Sequence, residues 1–391
     1  MKNKTKIFLI ALFVCAIFNP YSIKLIANSI NKIATSDGIT ISNDNIELTK
    51  SKGDLISDKE AKELKDSKLT GEEYNFNTTY YPYYGMLSDN EKKLYKQVYV
   101  HMLKVKDSFV PYIDVNITEV KRTFEAIYND HPEIFWVDTT YTYKYTKDNK
   151  CVQIDLTYND TALDLEKHKK IFNTEVNRII KNAKKYKTNY EREKYVHDVL
   201  VTSIKYDKTA TMNQSAYSAL INKNTICAGY ARAFQYILMK LGIPTYYVVG
   251  TSTVNHAWNM VKLDDGYYNV DLTWDNSDLT RYKYFNKTDS DFSSSHKRTG
   301  LSLGLPSCNA YTYRNIVNNK NVDKTSNIKT EIKVNLDDNT KNEPKTKKEV
   351  IIDEPPVDIE ENTNTEEIVD PALEQDNEQI EDNNVGEENE E

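Results

Sequence analysis

The sequence reads Thr225-Ile226-Cys227-Ala228-Gly229-Tyr230-Ala231 at the start of an amphipathic segment, so a cysteine stands where a helix is predicted to begin. From Cys227 to Leu241, apolar side chains recur at three- and four-residue steps and predict one buried helix face. Gly242 and Pro244 predict its end. We expect Thr225 to be the N-cap, which would place the thiol in the first turn. There, unpaired backbone N–H groups and the helix dipole stabilise a thiolate, the reactive form of cysteine.

Two strand-like runs follow this helix and carry a histidine and an aspartate. They are Asn255-His256-Ala257-Trp258-Asn259-Met260-Val261 and Tyr267-Tyr268-Asn269-Val270-Asp271-Leu272-Thr273-Trp274, with Asp264-Asp265-Gly266 as the turn. A two-residue loop within that turn would place His256 and Asp271 on one face of the sheet as diagonal neighbours, about 7–8 Å apart at the backbone. A three-residue loop without a bulge would put them on opposite faces.

These three residue types form the parts of a cysteine acyl-transfer site. We expect Cys227 to attack a carbonyl carbon, His256 to take and return the proton, and Asp271 to hold the imidazole in the useful tautomer. The backbone N–H of Cys227 is the expected oxyanion donor, with Tyr217 and Trp258 as candidates for the second donor or for substrate contacts.

Other residues receive simpler interpretations. Asp275 competes with Asp271 for the carboxylate role, and we interpret it as a turn or cap residue at the end of the strand. Five further histidines lack a cysteine or carboxylate framework in the sequence, so we interpret them as surface or packing residues: His101, His131, His168, His197 and His296.

The motifs resemble those of the transglutaminase-like superfamily, which shares a papain-like fold with Cys, His and Asp in this chain order. C-A-G-Y-A around Cys227, N-H-A-W-N-M-V around His256 and Y-Y-N-V-D-L-T-W-D around Asp271 carry the resemblance. Residues 130–136, 284–286 and 305–309 look most similar to secreted proteins of Gram-positive bacteria, and the resemblance covers most of residues 76–316. It implies a Cys-His-Asp triad. The sequence has no calcium-loop spacing, so we predict no calcium dependence of the kind animal transglutaminases show.

The predicted fold class is α+β, with helices packed on an antiparallel sheet. Residues 30–75 read as a polar spacer with a short helix at 58–65, and 76–160 as a small α+β module. That module would contain helices at 88–105, capped by Ser88 or Asp89, and at 118–129, capped by Thr118, followed by strands at 139–146 and 151–158. Residues 161–320 form the predicted catalytic core, with helices at 163–185 and 190–203 and a closing strand at 283–286.

The two chain ends differ from the body in composition. Lys2, Lys4 and Lys6 precede an apolar run at 7–18, which predicts a secretory signal over residues 1–29, cleaved after Ser29; an uncleaved membrane anchor is the alternative. Residues 349–391 hold 18 Asp and Glu and no Lys or Arg, so without them the net charge changes from −8 to +10. We therefore predict a disordered acidic tail over 321–391 and a mildly basic body. Such a body suits anionic wall polymers or another anionic partner, and a solvated lysine-rich surface explains it equally well.

The cysteine count and the lack of metal-ligand spacings limit the kinds of site that the sequence predicts. After signal cleavage Cys151, Cys227 and Cys308 remain, an odd count that points to a free thiol, for which Cys227 is the best candidate. Cys151 and Cys308 either form a disulfide or stay buried and reduced. The sequence lacks zinc-ligand and calcium-loop spacing, so we predict no metal and no cofactor.

Three functions remain open at this stage. The first is a secreted or cell-surface thiol enzyme that transfers an acyl group from a carboxamide or peptide to an amine. The second is a cysteine peptidase or amidase with the same triad and water as acceptor, and the third is an inert surface-binding module. The expected partner is a protein or peptide, with a cell-wall peptide as one candidate; we expect no nucleic acid, and a membrane only through an uncleaved N-terminal segment.

Overall fold

A computed structural model describes residues 49–65, 68–278 and 280–315 of the chain. The predicted signal segment at 1–29 and the predicted acidic tail at 321–391 lie outside the described residues. Among the described helices, none combines the length and the apolar character needed to cross a membrane.

A mixed four-stranded sheet forms the front of the described chain. Its strands are β1 (Lys50–Leu55), β2 (Ser108–Phe109), β3 (Val137–Tyr145) and β4 (Cys151–Tyr158), in the order β1-β3-β4-β2. β1 runs parallel to β3, with Lys50 opposite Thr140, so the segment predicted as a spacer contributes a strand. Its sequence hides this role because β1 is stabilised by backbone pairing and carries no alternating apolar pattern.

Four helices belong to this part of the chain. They are α1 (Asp58–Lys62), α2 (Pro82–Gly85), α3 (Asp89–Leu103) and α4 (Ile117–Asp130). Ser88 caps α3 as predicted, whereas the cap of α4 is Asn116, whose side chain accepts from the N–H groups of Thr118 and Glu119. The tyrosines at 80–84 pack inward, and Tyr83 is fully buried.

The remaining helices and strands form a second part of the fold, which is built around an antiparallel sheet. Strands β7 (Thr245–Thr251), β8 (Asn255–Leu263), β9 (Gly266–Val270) and β10 (Lys297–Arg298) lie in the order β10-β7-β8-β9. The helices are α5 (Leu165–Ala183), α6 (Asn189–Ser203), α7 (Cys227–Lys240), α8 (Leu272–Ser277) and α9 (Asp289–Phe292); 3-10 turns at Asp160–Asp164 and Gly300–Gly304, a π turn at Ser218–Asn222 and the short pair β5 (Lys205–Tyr206) and β6 (Asn224–Thr225) complete it. Helices packed on an antiparallel sheet confirm the α+β prediction.

Three local predictions are wrong. The N-cap of α7 is Ile226, because the Thr225 hydroxyl donates instead to the carbonyl of Asn213. The second strand of the hairpin ends at Val270, because the Asp271 side chain caps a helix there. Residues 283–286 form turns in place of a closing strand, since only Lys287 bridges to Asn269.

One hydrophobic core extends from Phe76 to Ala310 and includes side chains of both sheets. A buried hydroxyl also connects the two parts: Tyr83 donates to the carbonyl of Tyr247 on β7 and shares a hydrogen bond with Ser302. The front segment thereby supports β7, the strand that flanks the histidine-bearing β8.

Candidate active site

Cys227 is the first residue of α7 and has no exposed surface. The apolar side of its shell is formed by Ile226, Ala228, Ala231, Tyr247, Val249 and Ala257. As an N1 residue, Cys227 has a backbone N–H without an acceptor in its own helix, as an oxyanion donor requires.

Gly229 allows the close packing that sets this helix start. A Cβ atom at this position would lie 1.8 Å from Thr225 Oγ1 and 2.9 Å from the carbonyl oxygen of Ser215. Because real side chains do not approach so closely, only glycine fits here without a shift of Thr225. The position of the cysteine therefore depends on this glycine.

His256 lies on β8, opposite Gly250 of β7, and is 1% exposed. Its Nε2 lies 2.7 Å from Oδ2 of Asp271, which leaves Nδ1 as the ring nitrogen for the thiol. Burial alone would lower the pKa of His256, but the charge of Asp271, the charge of Cys227 and hydrogen bonds to both raise it well above its ordinary value. His256 therefore lies between the Cys227 side chain and the Asp271 carboxylate, and both raise its pKa.

Asp271 is fully buried and accepts four hydrogen bonds. Oδ1 accepts from the backbone N–H groups of Thr273 at 2.9 Å and Trp274 at 3.1 Å, while Oδ2 lies 2.7 Å from His256 and 3.0 Å from His296. Burial would raise the pKa of this carboxyl, yet the charge of His256 and the hydrogen bonds from both histidines hold it well below its usual range. The carboxylate is therefore ionised and fixed in orientation.

The structure brings Cys227, His256 and Asp271 together. The hairpin turn is the two-residue loop Asp264–Asp265, with Leu263 opposite Gly266. Asp271 directly follows the last residue of β9, and its side chain meets His256 from the start of α8.

Tyr217 and Trp258 have other contacts for their polar groups. The Tyr217 hydroxyl is 2.8 Å from Nδ1 of His168, and the Trp258 indole N–H donates to Asn269 at 3.1 Å. The Trp258 ring stacks 6.2 Å from that of His256 and forms a wall of the site. An oxyanion role for either residue stays a prediction.

The interpretation of two histidines and of Asp275 is wrong. His296 shares a carboxylate oxygen with His256, and His197 lies with Nε2 3.0 Å from Oδ2 of Asp275. Asp275 is buried in α8 and also accepts from the backbone N–H of Tyr284, so it is neither a strand end nor a turn residue. His296 packs among Phe292, Trp274 and other aromatic rings, and these aromatic residues are the one sequence signal for it. Its partner, Asp271, lies 25 residues earlier in the chain.

Within the described ranges, one group of three side chains has the residue types and the spacing that a metal site needs. It consists of His256, Asp271 and His296, with donor atoms within 4.8 Å of one another. The hydrogen bonds between them already account for their proximity. The absence of a metal stays a prediction.

A cleft of about 560 Å³ lies beside the nucleophile. Ile226, the residue before Cys227, lines it, and the opposite walls come from Tyr128, Thr139, Tyr206 and Gln214. A second cavity of about 310 Å³ shares Tyr128, Thr139 and Arg232 with the cleft and reaches Tyr247, which belongs to the shell around the sulfur.

Arg232 lines both cavities. Its guanidinium lies 4.5 Å from the Tyr247 ring centroid and donates to the carbonyl of Tyr128. Cys227 itself lines neither cavity, in agreement with its full burial.

Fold and site together define an α+β domain in which a cysteine at a helix start meets a histidine from an antiparallel sheet and an aspartate that caps the helix after that sheet. Residues 177–272, which include all three side chains, match the family model of the transglutaminase-like superfamily. This stretch of the chain is therefore similar to that superfamily. None of the curated proteins matches the sequence.

Two solved structures are similar to the chain. A crystal structure of a TGase is 14% identical over 42% of this chain and 50% of its own, with a TM-score of 0.25. A protein from Cytophaga hutchinsonii, provisionally assigned as a cysteine protease, is 18% identical over 26% of this chain and 37% of its own, with a TM-score of 0.24. The chain thus spans half or less of the length of these structures.

Proposed function

We propose that this protein is a thiol acyltransferase that forms an acyl-enzyme on Cys227 from a carboxamide or peptide carbonyl and passes the acyl group to an amine. The observation that carries the proposal is the contact sequence from Cys227 to His256 to Asp271, with the cysteine on a helix N-terminus.

The chemistry follows from this arrangement. His256 takes the thiol proton, and the thiolate attacks the carbonyl carbon while the N–H of Cys227 stabilises the oxyanion. The imidazolium returns the proton to the leaving ammonia or amine, and a thioester forms. In the second half, His256 takes a proton from the incoming amine, whose nitrogen then displaces the sulfur.

The apolar shell supports amine transfer over hydrolysis. Cys227 has no exposed surface, and its shell contains Val249, Ala257 and other apolar side chains. A thioester formed in such a shell is protected from water, whereas an amine on an apolar stem can enter with its own binding energy. Because the sulfur is covered, we also expect movement of this shell when substrate binds.

The same burial also favours one alternative, an inert binding module, since a sulfur that stays covered does not react. A peptidase that uses water as acceptor shares the acyl-enzyme, and only the product distinguishes it. The acceptor and the turnover therefore require a direct experiment.

The test is intact-mass analysis after incubation with a glutamine-containing peptide and an excess of primary amine. A transferase yields an amine-substituted peptide and the protein with Cys227→Ala yields none. Acid or cleaved peptide that persists unchanged at saturating amine would favour the peptidase, and unmodified peptide with the wild-type protein would favour the inert module.

We further propose that the protein acts outside the cytoplasm or at the cell surface. The support is the sequence alone: Lys2, Lys4 and Lys6 before the apolar run at 7–18. Mass analysis of the mature N-terminus from the producing cells tests this. A cytoplasmic protein that begins at Met1 contradicts it.

A further inference from the structure

His296 contacts the same carboxylate oxygen as His256. Its Nε2 lies 3.0 Å from Oδ2 of Asp271, and its other ring nitrogen, Nδ1, lies 2.8 Å from the hydroxyl of Ser295. Both nitrogens are thus engaged, and the side chain is buried. Any buried histidine needs such partners, but His296 shares one of them, the Asp271 carboxylate oxygen, with His256.

Aromatic rings hold the His296 imidazole in place. Phe292 stacks on it at 4.2 Å between centroids, Trp274 lies at 4.6 Å, and Trp258 meets it edge-on at 5.0 Å. Two of these rings also contact His256: Trp258 at 6.2 Å and Trp274 at 6.0 Å. The two imidazoles therefore share one aromatic enclosure and one carboxylate.

The two histidines nevertheless differ in their tendency to be protonated. Burial lowers the pKa of His296, the hydrogen bond that it donates to Asp271 opposes this, and the charge of His256 lowers it further, with a net decrease. The pKa of His256 is raised. His296 is consequently neutral while His256 is charged. Since an ionised carboxylate only accepts, the neutral ring must carry its proton on Nε2, and Nδ1 accepts from Ser295.

We propose that His296 is a positioning residue of the Cys227 site. Its Nε2–H fixes the Asp271 carboxylate in the orientation in which the oxygen that it contacts, Oδ2, also accepts the hydrogen bond from His256. This inference rests on the proposed function only for its catalytic meaning, because the contact and its effect on Cys227 can be measured without any substrate.

The physical reason is that the Asp271 carboxylate accepts four hydrogen bonds from different directions. The backbone N–H groups of Thr273 and Trp274 hold Oδ1, so the carboxylate is hinged at the start of α8. His296 and His256 then hold Oδ2 from two sides. Without His296, one lone pair of a buried anion has no partner, and the carboxylate turns or protonates more easily. The imidazolium of His256, and with it the Cys227 thiolate, would lose support.

The experiment measures the rate at which iodoacetamide alkylates Cys227 across pH, with peptide mapping to confirm the site. The acid limb of this profile reports formation of the thiolate–imidazolium pair. Other titratable groups that face the carboxylate are Asp275 and Tyr284, and both remain in every variant. We expect His296→Phe to move the limb toward neutral pH by about one unit, which is about tenfold slower alkylation at a fixed pH on the limb.

Conservative and matched variants separate positioning from packing. His296→Gln retains a donor for Asp271 and should restore most of the shift. His296→Met, which adapts to the same space without a donor, should behave like His296→Phe and replaces it if the phenylalanine variant does not fold. His101→Phe is the control, because His101 is buried far from the site against Phe109, and its limb should match that of the wild type.

Two results would overturn the proposal. One is an unchanged acid limb in a folded donor-free variant, or an equal displacement in His296→Gln. The other comes from the wild type: nitrogen NMR of the imidazoles that finds His296 doubly protonated, or protonated on Nδ1, between pH 6 and 8. Neither result depends on turnover, so the failure of the acyltransferase proposal would be visible separately as the absence of acylated product.

Discussion

Replacement of Asp271 by asparagine tests the central electrostatic argument, because the two amino acids differ by one charge and almost nothing in shape. Asparagine is an equally good N-cap, and its amide oxygen can keep the bonds from Thr273 and Trp274. The start of α8 should therefore persist. We expect the loss in unfolding free energy to stay below about 2 kcal/mol.

The effect on the reaction should be much larger. The amide N–H₂ faces Nε2 of His256, which now carries a proton directed at a donor. The ring can relieve this only by moving its proton to Nδ1, where it no longer accepts the proton of Cys227. In a serine triad of another protein the corresponding change lowers the rate about 10⁴-fold, or about 5 kcal/mol, and we take this as the upper bound here.

The assay is the alkylation rate of Cys227 at pH 6 together with the yield of amine-substituted peptide. Asp275→Asn is the matched control: it removes a buried carboxylate from the same helix, bonded to His197 and without a bond to His256. It should lower the melting temperature and leave the alkylation of Cys227 largely intact. If Asp275→Asn abolished reactivity while Asp271→Asn retained the wild-type rate, the assignment of the triad carboxylate would be refuted.

Three further outcomes are expected. Cys227 should be the first thiol alkylated at pH 6, because burial raises the pKa of Cys151 to about 12 and also raises that of Cys308; equal labelling of all three in mass maps would contradict this. Gly229→Ala should destabilise the protein by about 1–3 kcal/mol in denaturant unfolding and slow Cys227 alkylation, since its Cβ would meet Thr225 Oγ1 at 1.8 Å; wild-type values for both would show that the helix start adapts. Burial raises the pKa of Glu193 to about 8, so the native state holds a proton that the unfolded chain loses above its ordinary pKa, and stability should fall as pH rises from 5 to 8 by at most about 1.4 kcal/mol per unit. Glu193→Gln keeps the bond to Asn286 and should flatten this decline in melting temperature; an equal slope in both proteins would exclude Glu193 as its cause.

The parts of the site that sequence predicts are those fixed by local rules. The helix start at Cys227 follows from apolar periodicity, and the relation of His256 to Asp271 follows from the period of a strand and a two-residue turn. Helix α3 and its Ser88 cap follow from the capping box with Glu91.

The parts that sequence does not predict depend on contacts between distant segments. His296 meets Asp271 only because α9 returns to the sheet, and His197 meets Asp275 from a helix 78 positions earlier. β1 has no apolar alternation and forms through backbone bonds to β3. Asp271 looked like a strand residue because its helix-capping bonds reach only two and three positions ahead and compete with the strand pattern of its neighbours.

The walls of the cleft come from different portions of the chain. Tyr128 and Thr139 belong to the front portion, outside residues 177–272, whereas Tyr206 and Ile226 belong to the stretch that the superfamily shares. Two proteins with the same three reactive side chains can therefore diverge in what they accept through changes confined to one wall. In the proposed enzyme, substrate selectivity and thiol reactivity would therefore depend on different portions of the chain.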